Sequence, residues 1–77
     1  MTRILILGGG GMIGQKLAAQ LLQADPNADV TLHDIGFPPN GVPAYQQTGD
    51  VSDPQVMTTI AQAKYDTIYY LASIVSG

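Results

Sequence analysis

Four aliphatic residues, Ile4 to Leu7, run directly into four glycines, Gly8 to Gly11, and then into MIGQKLAAQLL, Met12 to Leu22. This junction constrains the fold more than any other stretch. An apolar run without alternation marks a strand covered on both faces, as in the interior of a parallel sheet, so Arg3 to Leu7 reads as such a strand. From Met12 the period changes. Ile13, Leu17 and Leu21 recur four apart and Ala18 and Leu22 widen the stripe, which predicts one face of a helix. Gln15, Lys16, Gln20 and Gln23 fall on the opposite side. The glycines mark the handover, where a tight turn needs a backbone free of side chains. Asp25 and Pro26 end the helix, because the residue before a proline is biased away from the α region.

The remainder repeats the pattern. Asp29 to His33 alternates, with Val30 and Leu32 on one face and Thr31 and His33 on the other, which predicts a second strand closed by Asp34. GFPPNGVP, Gly36 to Pro43, holds three prolines and two glycines and reads as a surface loop. Ala44 to Thr48 is a candidate short third strand. After it, Ser52 or Asp53 can cap a helix, Pro54 suits its first turn, and Val56, Ile60 and Ala63 supply an apolar face. Asp66 to Ser73, DTIYYLAS, is rich in β-formers and reads as a fourth strand. Strands alternating with helices define an α/β fold with parallel strands and right-handed crossovers.

Composition removes several functions. Lys and Arg total 3 against 6 Asp and Glu, a net charge of −3, whereas a nucleic-acid or anionic-membrane surface needs clustered positive charge. The longest apolar runs are a few residues, far short of the ~20 that cross a bilayer. MTRILILG lacks the h-region and cleavage site of a signal peptide, so a cytoplasmic location is the default expectation. There is no cysteine, hence neither a disulfide framework nor a thiolate metal site. His33 is the single histidine, and no HxH or HExxH spacing surrounds it, so no metal is expected. It reads as a surface or adenosine-adjacent residue. Asp25, Asp29, Asp53 and Asp66 sit at element ends, where capping and solvation account for them.

Gly9, Gly11 and Gly14 satisfy G-x-G-x-x-G, and Gly8, Gly11 and Gly14 satisfy G-x-x-G-x-x-G. A run of four glycines makes such matches easy. Here, however, the pattern follows a strand, opens a helix and is followed by an acidic residue, Asp34, at the end of the next strand. In that context the early glycines permit the turn, the middle one lets main chain approach a pyrophosphate, and Gly14 lets the helix lie close on the strand. The helix start then faces the diphosphate. Asp34 would accept from the adenosine ribose hydroxyls and repel a 2′-phosphate. With no Arg or Lys between Lys16 and Lys64 to hold such a phosphate, NAD is the expected cofactor rather than NADP. The plainer alternative makes Gly8 to Gly14 a simple strand-to-helix turn and Asp34 a solvated strand end.

LGGGGMIG resembles the T-G-x-x-G-x-x-G loop of the extended short-chain dehydrogenases and reductases, the nucleotide-sugar epimerase and dehydratase type. Leu7 stands where that family often has Thr. The resemblance implies the N-terminal half of a Rossmann-type doubly wound sheet, its strands ordered 3-2-1-4. It places the cofactor-binding glycines at Gly8, Gly11 and Gly14, with Met12 and Ile13 as the intervening pair. GDVSDP is similar to the family's G-D-[LV]-x-D segment, so Asp50 would bond the adenine amino group and Val51 would line the adenine pocket. YDTIYYLAS is similar to its D-x-V-x-H-L-A-A strand, which would carry Leu71, Ala72 and Ser73 beneath the nicotinamide ribose. LASIVSG most resembles the sugar-acid dehydrogenases of the D-erythronate type. The resemblance further implies a small-molecule substrate, a sugar acid or a nucleotide sugar, and a homodimer as the full-length protein.

Hydride transfer in that family needs Tyr-x-x-x-Lys, the Tyr as general acid/base and the Lys lowering its pKa. At that spacing Tyr45 is followed by Gly49, Tyr65 by Tyr69, Tyr69 by Ser73 and Tyr70 by Ile74. No catalytic residue is therefore expected in the chain, and Tyr69 and Tyr70 read as strand residues, one inward and one outward. The expectation is a partial NAD-binding domain over residues 1–77, truncated before its catalytic and substrate regions and inactive alone. Its fourth strand would form an exposed apolar edge, and the product would be marginal or self-associating. Three functions share these residues: an NAD-dependent dehydrogenase acting on a secondary alcohol of a sugar acid or polyol, a nucleotide-sugar epimerase or dehydratase, and a non-catalytic dinucleotide-binding module. Net NADH accumulation separates the first two.

Overall fold

A computed structural model describes residues 2–71. Strand β1 (Arg3–Leu7), helix α1 (Met12–Ala24), strands β2 (Asp29–Asp34) and β3 (Tyr45–Thr48), helix α2 (Pro54–Gln62) and strand β4 (Thr67–Tyr70) follow one another along the chain. All four strands are parallel and lie in the order β3-β2-β1-β4. This is the α/β arrangement that the alternation of strand and helix predicts.

Alternate residues of β1 feed two separate cores, as the period of a strand requires. Ile6 packs with Ala18 of α1 and with Val30 and Leu32 on one face of the sheet, while Leu5 and Leu7 pack with Ile60 of α2 on the other. The helices cover opposite faces because the chain crosses from β1 to β2 in one direction and from β3 to β4 in the other. Two faces covered also explain why β2 departs from the alternation read in its sequence. Thr31 and His33 pair with Leu5 and Leu7 and so share the α2 face, and both are buried along with Val30 and Leu32.

Asp53, not Ser52, caps α2, its Oδ1 accepting from the Gln55 N–H at 2.9 Å, with Pro54 opening the helix. The Arg3 guanidinium donates to the Ala63 carbonyl at the end of that helix. It also lies 3.4 Å from the Asp29 carboxylate and 4.8 Å from the Tyr65 ring centre, tying together the starts of β1 and β2 and the approach to β4.

Two expectations are corrected. Ile13 is 71% exposed, and Gly14 takes the inward position in the first turn of α1, because the helix approaches the sheet too closely there for any side chain. Strand β4 ends at Tyr70; Leu71 follows it, its N–H bonded to the Leu7 carbonyl at 2.8 Å, and Ala72 and Ser73 lie outside the described residues. Tyr69 and Tyr70 alternate along β4, as expected of strand residues, but both are exposed, β4 being the outer strand among the described residues.

Candidate functional site

The strands run parallel, so Leu7, Asp34, Thr48 and Tyr70 end at one edge of the sheet. Strands β1 and β4 are neighbours, and α1 after β1 and α2 before β4 pack on opposite faces of the sheet; in open α/β sheets such a switch point leaves a crevice beyond the strand ends. The glycine turn occupies that crevice.

Gly8 has a φ of +90°, a backbone region that side chains rarely tolerate. Its N–H and that of Gly9 donate to the His33 carbonyl at 2.8 and 3.1 Å. The Gly10 N–H donates to Oδ2 of Asp34 at 2.9 Å, and the Gly11 N–H to the Gly8 carbonyl at 3.3 Å. All four glycine amides are therefore engaged inside the protein. Between Gly8 and Gln15, the amides without a partner among the described residues are those of Met12, Ile13 and Gly14, the first turn of α1. That helix has neither a side-chain cap at Gly11 nor an acidic residue in its first turn. Unsatisfied N–H groups at the positive end of a helix form a site for an anion. The glycines shape this site, and the helix start supplies its donors.

Two glycines play opposite parts in it. A Cβ on Gly14 would stand 2.4 Å from the Gly8 carbonyl and 2.7 Å from Gly9 Cα, so the position permits the close approach of helix to turn. A Cβ on Gly11 would meet nothing nearer than the Gly8 carbonyl at 3.6 Å. That Cβ would stand in open space, at a residue bordering two cavities. One, about 340 Å³, is lined by Gly8, Gly11, Met12, Ile13, Gly14 and Leu71. The other, about 350 Å³, shares Gly8, Gly11 and Leu71 and extends to Asp34, Asp50 and Val51. The fold thus brings together every described residue expected at the cofactor site: Gly8, Gly11, Met12, Ile13, Gly14, Asp34, Asp50, Val51 and Leu71. A more open groove of about 460 Å³ lies between β3 and α2 and contains none of these glycines.

Asp34 is half-buried, and both its oxygens are engaged, Oδ2 with Gly10 and Oδ1 with the Ile35 N–H at 2.7 Å. A carboxylate oxygen has two acceptor sites, so each retains one for an incoming hydroxyl. Asp50 Oδ1 accepts from both the N–H and the hydroxyl of Ser52, at 2.9 and 2.8 Å. The Ser52 N–H, and then its hydroxyl, hold the Asp50 carboxyl below its ordinary value. A lowered native pKa means that the ionised form favours this turn. The contribution is complete above the usual Asp value of about 3.9 and is lost as pH falls through the lower native value. In an acid titration followed by the Asp50 side-chain carbon shift, the midpoint is expected below that value, and Ser52→Ala is expected to move it part of the way back.

Two contacts were not anticipated. His33 is buried rather than on the surface, its Nε2 lying 3.1 Å from the Gly49 carbonyl and its Nδ1 without a partner among the described residues. It borders the second cavity and contacts Gly49, the residue before Asp50. A carbonyl oxygen only accepts, so Nε2 is the donor in this contact. Gln15, read on the solvent face of α1, instead donates through Nε2 to the Gly9 carbonyl at 2.6 Å and accepts at Oε1 from the Val42 N–H at 2.7 Å. Periodicity assigns faces and is silent on what a polar side chain at the border of a face can reach. Among the described residues no group of three His, Cys, Asp or Glu could hold a metal, and no helix is long and apolar enough to cross a membrane.

A parallel sheet with a glycine turn and an open helix start at its switch point defines a dinucleotide-binding type of α/β domain. The chain belongs to the NAD dependent epimerase/dehydratase family, whose sequence profile matches residues 4–77. It is 35% identical over 85 aligned positions to a D-erythronate dehydrogenase of Cupriavidus necator, covering 96% of this chain and 26% of that protein. The crystal structure of an L-threonine dehydrogenase from Clostridium difficile superposes with a TM-score of 0.78 at 30% identity, covering 99% of this chain and 25% of the other. The chain spans about a quarter of the length of each relative.

Proposed function

We propose that this chain is the NAD-binding portion of a longer oxidoreductase that oxidises a secondary alcohol of a sugar acid or related polyol. The observation that carries the reading is the set of three partnerless amides at Met12, Ile13 and Gly14, beside a cavity that Gly11 lines. The residues present fit NAD. The helix start would take the diphosphate, Asp34 the adenosine ribose, Asp50 and Val51 the adenine, and Leu71 the nicotinamide side. NAD when bound supplies the hydride acceptor. The chain's own part is to bind and orient that cofactor. The proton-transferring residues belong to other parts of the polypeptide, since no Tyr-x-x-x-Lys is present. The same reading takes the intact protein to be a cytoplasmic homodimer acting on a small molecule, with neither nucleic acid nor membrane as partner.

Preference for NAD over NADP rests on Asp34, whose carboxylate would face a 2′-phosphate with like charge. Asp34→Ala strips an acceptor from the ribose and from Gly10 at once. It is expected to weaken NAD binding by about 1–3 kcal/mol and to relax discrimination against NADP. Calorimetric titration with both cofactors checks this, and unchanged affinity for each removes Asp34 from its role. The sugar-acid assignment is supported by the relative that carries D-erythronate in its name, and a dehydrogenase over an epimerase by the names of both relatives. The intact protein given NAD and a four-carbon sugar acid is expected to accumulate NADH. Turnover of a nucleotide sugar with no net NADH would establish the epimerase instead.

A further inference from the structure

We propose that Gln15 is a positioning residue of the dinucleotide site, clamping the Gly9–Gly10 peptide and tying it to the segment between β2 and β3; the inference rests on the NAD-binding reading. The peptide unit between Gly9 and Gly10 is held at both of its polar groups. Its carbonyl accepts from Gln15 Nε2 at 2.6 Å, and its N–H donates to Asp34 Oδ2 at 2.9 Å. A peptide plane bonded on both sides cannot rotate without breaking two hydrogen bonds. It stands immediately before Gly11, the residue that caps α1 and fixes where the free amides of the first turn point.

The other end of the clamp is anchored as well. Gln15 Oε1 accepts from the Val42 N–H at 2.7 Å, and Phe37, Val42 and Ala44 pack against the core beneath α1. The loop also closes against the turn, since a Cβ on Gly10 would stand 2.0 Å from the Gly36 carbonyl and one on Gly41 2.7 Å from Gln15 Oε1. The β2–β3 segment thus forms the back wall of the glycine turn, and Gln15 is the side chain bonded to both. A turn flanked by four glycines has more backbone freedom to lose than most, so fixing it before the ligand arrives lowers the entropy cost of binding. The benefit falls on the diphosphate, which the turn and helix start receive, and not on the adenosine, which lies toward Asp34 and Asp50.

The test compares ADP with adenosine on the intact protein, by competition against NAD. Gln15→Met keeps the length of the side chain and removes both hydrogen bonds. It is expected to raise the dissociation constant for ADP roughly 5- to 10-fold, the loss expected of about one to one and a half kcal/mol of hydrogen bonding, while leaving that for adenosine within twofold. Gln15→Glu retains the acceptor for Val42 but not the donor for Gly9. It is expected to leave the Val42 amide protected from hydrogen exchange while weakening ADP, and it carries the comparison should the methionine variant not fold. ADP binding unchanged in both variants, or adenosine weakened as much as ADP, overturns the positioning role. Wild-type protein that binds neither ADP nor NAD overturns the functional reading itself, a result distinguishable from either.

Discussion

Gly11→Val is expected to raise the dissociation constant for NAD at least 100-fold, about 2.8 kcal/mol, while moving the melting temperature by no more than 2–3 °C. The two effects separate because of where the new side chain would go. A Cβ at this position clears every protein atom but the Gly8 carbonyl, 3.6 Å away, and the backbone is in the ordinary extended region with a φ of −79°. Neither clash nor strain opposes folding. The side chain instead grows from a residue that lines both cavities, where main chain would otherwise meet the diphosphate. Calorimetric titration beside thermal unfolding checks both halves, and a variant that binds NAD normally would place the diphosphate elsewhere.

Gly14→Val should do the opposite, removing the fold and the site together. Its Cβ would lie 2.4 Å from the Gly8 carbonyl and 2.7 Å from Gly9 Cα, and both are main-chain atoms with no rotamer to yield. Helix α1 must then lift from the turn, and with it Ala18, which is fully buried against Ile6, Val30 and Leu32. Overpacking of this kind costs about 1–3 kcal/mol when the surroundings can adjust, and more when backbone blocks the adjustment. Chemical denaturation is expected to show a loss at or above the top of that range, with α1 the first element to lose amide protection. A Gly14→Val protein as stable as wild type would mean that helix and turn are not in contact as described.

The order of elements was legible because each has a single dominant signal. The unbroken run Ile4 to Leu7, the four-residue recurrence of Leu17 and Leu21 and the Pro54 helix start each specify one local structure, and parallel topology follows from their alternation. The geometry of the glycine turn was legible for the same reason, since the tight turn at Gly8 and the close approach of helix to turn at Gly14 each need a residue without a side chain. Burial was less so. His33 and Thr31 occupy the polar half of an alternating strand but share the sheet face on which Ile60 of α2 packs, a helix that begins some twenty residues on. Ile13 falls on the apolar stripe of α1 yet lies at the rim of a cavity, where the first turn must present glycine inward. Gln15 reaches back six residues to the Gly9 carbonyl and gains its second partner, Val42, only when the β2–β3 segment folds against the turn. In each case the deciding neighbour lies outside the element itself, and local period carries no information about it.

The account rests on the first-turn amides of α1 as the donors that receive a diphosphate. Titration of ¹⁵N-labelled protein with NAD reads them one by one. The Met12, Ile13 and Gly14 amide signals are expected to show the largest shifts, saturating together, with Gly8 to Gly10 moving less because their N–H groups are already bonded within the protein. Saturating NAD that leaves those three signals in place would contradict it.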